Sequence, residues 1–380
     1  MAIQIFSIDD ARALAKRRMP KMMFDFVDGA AGNEYACEQN QTMLDQIRLQ
    51  PRVLVNVENR SLKKTLLGRE WNLPFGIAPM GMCNLTRAGA DTALAAAAVK
   101  HNIPMVLSTM ASSNIEDMHN RAGTNAWFQL YVGQSDEKAF DLVRRAEAAG
   151  YDTLILTVDV PIIAPRPREQ RNGFHSALKI GPRQFFDFAM HPQWSIPALL
   201  AGIPELANFS GGYAEKKGIR DENRSKVDWR FLDQLRQLWH GKLIVKGVLS
   251  PEDAMRIRDA DVDAVYVSNH GGRQLDSAPT SIEALPAIRK AVGDDYPLVF
   301  DSGVRSGDAV IKALALGADF VMMGRPFLYG IGAAGPHGLQ QVFDLFISQL
   351  DTTLAQLGRL SVDDIDRSVI FNQELGVCRT

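Results

Sequence analysis

Eight short apolar runs, each closed by small or polar residues, alternate along the chain with helical patterns, and that alternation leaves few folds open. Strands are expected at Phe75–Pro79, Met105–Ser108, Trp127–Tyr131, Thr153–Asp159, Leu243–Gly247, Ala264–Ser268, Leu298–Asp301 and Phe320–Gly324. Helices are expected at Ala88–Lys100, Asp136–Ala149, Pro251–Asp259, Ile282–Val292 and Asp308–Leu316, several ending in a glycine such as Gly150, Gly293 or Gly317. Strand followed by helix implies parallel pairing through right-handed crossovers. Eight such units favour a closed (β/α)8 barrel over an open doubly wound sheet. The polar residues agree: Ser108, Gln129, Tyr131, Asp159, Lys246, His270, Asp301 and Arg325 all lie at or just beyond strand ends. In a barrel these converge on the C-terminal face, whereas an open sheet gathers its ligand at one switch point.

The whole chain, 1–380, reads as one barrel domain with two segments outside the pattern. Residues 1–70 are expected to form helices and a short β piece, Arg52–Val57, plugging the far end of the barrel. Residues 160–230 form an insertion after the fourth strand, much longer than an ordinary loop. Its aromatic and apolar stretches, Phe185–Met190 and Trp194–Leu206, are broken by Pro192, Pro197 and Pro204. They are too broken to span a membrane but suited to lying on one; a lid or a subunit contact is the alternative.

The run Tyr266-Val-Ser-Asn-His-Gly-Gly-Arg-Gln-Leu-Asp276 marks the site. His270 offers a base near neutral pH and Arg273 a cationic fork for a carboxylate, with Gly271 and Gly272 permitting a sharp turn. Asp159 could hold the His270 ring, or cap a loop. Lys246 could face a reduced flavin, or pair with a barrel carboxylate. Arg166 could join Arg273 on one carboxylate, or lie on the surface. After the seventh and eighth strands, Asp301-Ser302-Gly303-Val304-Arg305 and Gly324-Arg325 make a phosphate-bearing cofactor the expectation.

Other classes recede. A net charge of −2 with no long basic run gives no reason to expect nucleic acid. Three cysteines (Cys37, Cys83, Cys378) lack metal-ligand spacing and suggest a reducing compartment. No signal-peptide pattern and no membrane-spanning run are present, so a cytoplasmic location is expected, with peripheral contact at the inner face of the membrane open. There is no Walker A pattern, and no Gly-x-Gly-x-x-Gly follows the first strand, which disfavours ATP and nicotinamide cofactors.

Met19-Pro20-Lys21-Met22, Ile77-Ala78-Pro79, Phe128–Tyr131, Thr157-Val158-Asp159, Val245-Lys246-Gly247, Ser268–Asp276 and Gly324-Arg325-Pro326 resemble the FMN-dependent α-hydroxy acid dehydrogenases and oxidases. The resemblance covers nearly the whole chain, and the stretch from His191 to Phe209 is similar to the membrane-associating insert of the bacterial enzymes. It implies FMN as cofactor, His270 as base, Asp159 as its partner, and Tyr131 near the substrate hydroxyl. It implies Arg166 and Arg273 on the substrate carboxylate and Lys246 beside the reduced flavin. Pro79, Met80, Gly81, Ser108, Gln129, Thr157 and Ser268 would line FMN, while Asp301, Ser302, Gly303, Arg305, Gly324 and Arg325 would hold its ribityl chain and phosphate. A homotetramer is also implied.

Three positions bear on specificity. Phe26 stands where the family usually has a substrate-binding tyrosine. Met110 stands where glycolate oxidase has a tryptophan. Gly81 stands where oxidases of the family tend to have alanine. The expected activity is oxidation of a bulky or apolar (S)-2-hydroxy acid to the 2-oxo acid, hydride passing to flavin N5 and electrons to a quinone or another carrier. The alternatives are a substrate lacking a free carboxylate, such as a hydroxy lactone, or an oxygen-using oxidase.

Overall fold

The structure, a computed structural model, describes residues 3–133, 135–174, 180–202, 204–209 and 224–371. Cys378 and parts of the insertion therefore lie outside the described residues. Eight parallel strands close into a barrel in sequence order: Phe75–Met80, Met105–Ser108, Ala126–Leu130, Thr153–Thr157, Lys242–Val248, Ala264–Val267, Leu298–Phe300 and Phe320–Met323. The last pairs with the first, Val321 opposite Phe75. All five expected helices are present within one or two residues at each end. Their caps follow the sequence: Ser250 accepts from the Asp253 N–H, and Thr280 with Glu283 forms a capping box. Helices Ile115–Ala122, Trp229–Leu238 and Arg325–Gln356 were not expected. The last bends at Ala334 and Gly335, just before Pro336, a break that hides its period.

Strand parity positions the site. Ala78, Val106, Trp127, Ile155, Ile244, Tyr266, Val299 and Met322 fill the barrel interior, while residues one step away pack outward against the helices. Two residues further along each strand, the same inward direction falls on Met80, Ser108, Gln129, Thr157, Lys246, Ser268, Asp301 and Gly324. An apolar plug is thus overlaid by one largely polar ring at the C-terminal rim.

The N-terminal extension is arranged differently from expectation. Arg52–Val57 forms no strand; Leu54 takes a left-handed φ of 59° and Val53 and Leu54 are exposed, so no partner edge is met. The barrel's far end is closed instead by the hairpin Lys64–Leu66 and Arg69–Trp71, whose Leu66 and Trp71 join the interior cluster. The helices Lys21–Asp28 and Tyr35–Gln46 belong to the opposite, C-terminal face. Carbonyls of Phe26, Val27 and Gly29 accept from the rim arginines Arg273 and Arg325, and Asn40 pairs with Asn269. Buried Asp28 ties this cap to Arg12, Arg168 and Tyr329.

Within the insertion, helices Pro167–Arg171, Pro182–Ala189 and Pro192–Ala201 are described. Phe188 stacks on Trp194 at 5.5 Å, and the Trp194 indole N–H donates to the Leu85 and Thr86 carbonyls. That contact leaves Phe185, Phe186, Met190, Ile196, Leu199 and Leu200 exposed. No described helix is long and apolar enough to cross a membrane.

Candidate active site

A cavity of about 500 Å³ opens at the C-terminal rim, within the range of small-molecule sites. His270 enters it from just beyond the sixth strand, on left-handed backbone that continues through Gly271 and Gly272. Gly272 is required there, because a Cβ would come within 2.4 Å of the Cys37 nitrogen. The His270 N–H donates to Ser268 Oγ at 3.0 Å. Its Nδ1 lies 2.9 Å from Asp159 Oδ1, and its Nε2 lies 3.1 Å from the Tyr131 hydroxyl. A carboxylate at Nδ1 favours the tautomer protonated there, leaving the Nε2 lone pair available. Gly247 makes room for this pair: a Cβ at its φ of 104° would meet Asp159 at 2.5 Å.

Burial holds His270 below its ordinary pKa against the pull of Asp159, so the ring is neutral at pH 7. Burial works to raise Asp159, but His270 and Lys246 outweigh it and keep the carboxylate ionised. Burial, with Asp159 adding to it, pushes the Tyr131 phenol far upward, so it stays a hydrogen-bond donor. The arrangement offers one acceptor for a proton, one donor, and a fixed anion behind them.

Both expected arginines reach the cavity. Arg273 Nη1 donates to the Phe26 and Gly29 carbonyls, and its Nη2 donates to Glu169 Oε1 at 3.0 Å. Arg166 Nη1 stands 3.5 Å from the same oxygen. Burial, reinforced by the charge of Arg166, lowers Arg273 from its ordinary value, a strain an anionic ligand would relieve. Phe26 packs on Phe174 with ring centroids 4.7 Å apart, and Met110 forms another part of the wall.

The ring beneath is built to receive a polar heterocycle. Lys246 Nζ donates to Ser268 Oγ at 2.9 Å and lies 3.6 Å from the Asp301 carboxylate, the barrel carboxylate that one sequence reading gave this lysine as partner. Ser108 Oγ donates to Gln129 Oε1, while Gln129 Nε2 and Thr157 Oγ1 are buried without partners. Unpartnered buried donors at adjoining strand ends are costly unless a ligand satisfies them. The edge of FMN fits that need. Met80 and Gly81, following Pro79, line the same cavity, and a Cβ on Gly81 would come 3.0 Å from Met110 Cβ. Ser302, Gly303, Arg305, Gly324 and Arg325 line its other end. Arg325 there donates to the carbonyls of Val27, Gly271 and Gly29, and Arg305 to that of Val304.

Two charged residues in the cavity wall were not anticipated. Glu169 gives no sequence signal, since an acid in the first turn of a short helix is usually a surface residue. Arg224 belongs to the irregular end of the insertion, yet its guanidinium lies 4.6 Å from the centroid of the Tyr131 ring.

Comparison with known proteins accords with this geometry. The FMN-dependent dehydrogenase family matches residues 15–372. The (S)-mandelate dehydrogenase of Pseudomonas putida is 38% identical over 385 residues, covering 100% of this chain and 97% of that protein. The L-lactate dehydrogenase of Pseudomonas syringae pv. syringae is 35% identical over 374 residues, covering 96% and 98%. A crystal structure of the monotopic membrane protein (S)-mandelate dehydrogenase superposes with a TM-score of 0.94 at 38% identity, covering 98% of this chain and 100% of that one. Fold and site thus define an FMN-dependent oxidoreductase on a (β/α)8 barrel, acting on a CH–OH group. More narrowly, the chain belongs to the FMN-dependent dehydrogenase family, among its 2-hydroxy acid dehydrogenases and oxidases.

Proposed function

We propose that the protein oxidises an (S)-2-hydroxy acid with a bulky, apolar 2-substituent to the 2-oxo acid. The observation that carries this reading is the Asp159–His270–Tyr131 line facing Arg166 and Arg273 across one cavity. The substrate carboxylate pairs with the two arginines, and Tyr131 donates to the hydroxyl oxygen. His270 Nε2 takes the hydroxyl proton, and Asp159 stabilises the imidazolium that results. When bound, FMN supplies the acceptor for the α-hydrogen and its electron pair. Lys246, Gln129, Thr157 and Ser108 would hold the ring, with Arg305, Gly303 and Gly324 toward the phosphate.

The apolar 2-substituent is inferred from Phe26, Phe174, Met110 and Leu206 in the wall, and the names of the mandelate relatives agree with it. Phe26 also favours a second reading, a hydroxy lactone or ester, because it brings no hydroxyl to the carboxylate site; the arginine pair weighs against it. For the acceptor, a quinone or another membrane carrier fits Gly81 and the exposed apolar face of the insertion helices. That face also supports peripheral membrane contact, with homotetrameric assembly as the accompanying expectation. The test is an anaerobic absorbance scan of the holoenzyme against (S)-2-hydroxy acids and hydroxy lactones. Bleaching by aryl or branched hydroxy acids and slow recolouring in air is the expected result. Bleaching only by lactones overturns the carboxylate reading, and fast recolouring in air makes the protein an oxidase.

A further inference from the structure

The mechanism above gives Glu169 no proton to carry, yet this carboxylate is only 4% exposed and lies in the wall of the catalytic cavity. A buried acid with no solvent needs a reason. One of its oxygens, Oε1, is shared between Arg273 Nη2 at 3.0 Å and Arg166 Nη1 at 3.5 Å. Arg273's other contacts are neutral carbonyls, those of Phe26 and Gly29. Among the described residues, Glu169 is therefore the carboxylate ion-paired with both arginines. Two half-buried guanidiniums side by side repel, and leaving them without an anion is destabilising. Glu169 removes that cost without filling the site, since Arg166 Nε remains buried and unpartnered. Two cations and one anion leave a single positive charge for a ligand.

We propose that Glu169 is a positioning residue, the fixed counter-ion that keeps Arg166 and Arg273 together as one receptor and matches it to a substrate bearing a single carboxylate. The proposal rests on the reading of that pair as the carboxylate site. Glu169 holds the receptor ready, and its charge weakens the grip on the incoming anion. A carboxylate arriving beside it meets repulsion at a few ångströms, worth roughly a factor of ten or more in affinity at an effective dielectric near 20. Replacing the carboxylate by its isosteric amide keeps an acceptor at Oε1 and deletes only the charge.

The experiment uses the FMN-loaded full chain, with phenylacetate and neutral phenylacetamide as non-oxidisable probes read by the shift of the flavin absorbance. E169Q is expected to bind phenylacetate roughly tenfold more tightly than the wild type, with phenylacetamide unchanged. E169D, which keeps the charge, should show no tightening. Unchanged or weaker phenylacetate binding in E169Q, or equal changes for both probes, overturns the proposal, because a merely structural role would move acid and amide together. Failure of the wild type itself to bind phenylacetate would bring down the carboxylate-site reading, an outcome separate from any result on the variant. Should E169Q not retain flavin, the double variant R166Q/E169Q restores the charge balance. It should recover flavin retention, and its failure to do so overturns the proposal.

Discussion

His270 is neutral in the folded protein because burial opposes its charging, and it is oriented because Asp159 faces Nδ1. In its proposed role as base His270 must be unprotonated, so activity is expected above its folded pKa and is lost as pH falls through it. The acid limb of kcat/KM should therefore lie below pH 6.5, the ordinary histidine value. In D159N, which removes the upward pull, that limb should move further toward acid. H270Q should lower kcat/KM by about a hundred- to ten-thousand-fold while keeping flavin bound, measured by steady-state kinetics and absorbance. A limb above the ordinary value would show that Asp159, not burial, governs the ring. On the proposed reading the missing hydroxyl at Phe26 sets specificity: F26Y should lower KM for small hydroxy acids such as lactate by about ten- to a hundred-fold, the worth of one charge-assisted hydrogen bond. An unchanged KM would remove Phe26 from the specificity argument.

At the level of elements, the insertion helices Pro182–Ala189 and Pro192–Ala201 present two faces of opposite use. Phe188 and Trp194 fasten them to the barrel body, while Phe185, Phe186, Leu199 and Leu200 face outward. Replacing those four by serine should move the protein from the vesicle-bound to the soluble fraction in a flotation assay with anionic liposomes, with flavin content unchanged. Retention on vesicles would assign the face to another role. The segment's composition was legible as an apolar insert, but Pro197 interrupts the helix Pro192–Ala201, which shows no clean period. Arg52–Val57 failed as a strand for a complementary reason: its alternation is real, but strand formation needs a partner edge, and Leu54 turns left-handed in the open.

For the whole molecule, the rim is complete only when something meets the unpartnered donors of Gln129 and Thr157. Stripping FMN should lower the melting temperature, and restoring it at a hundredfold excess over Kd should return about 2.7 kcal/mol of stability. Riboflavin, which lacks the phosphate, should return less if the Arg305 and Gly324 end binds phosphate; equal recovery would refute that assignment. The alternation of strand and helix was enough to determine the closed barrel, since parallel pairing with right-handed crossovers leaves little else for eight repeats. The same alternation determined which residues reach the rim, because side-chain direction has a period of two along every strand. Ser108, Gln129, Lys246 and Asp301 could be read from their places at strand ends, Thr157 and Ser268 from the family resemblance, and His270 with Arg273 from their motif. What only the tertiary structure decided was the company these residues keep. The hairpin at the far end, the helix Lys21–Asp28 laid over the mouth with its carbonyls on Arg273 and Arg325, and Glu169 between two arginines are all contacts between distant segments. No local period or propensity encodes them; they are selected by burial of charge and surface once the barrel has closed.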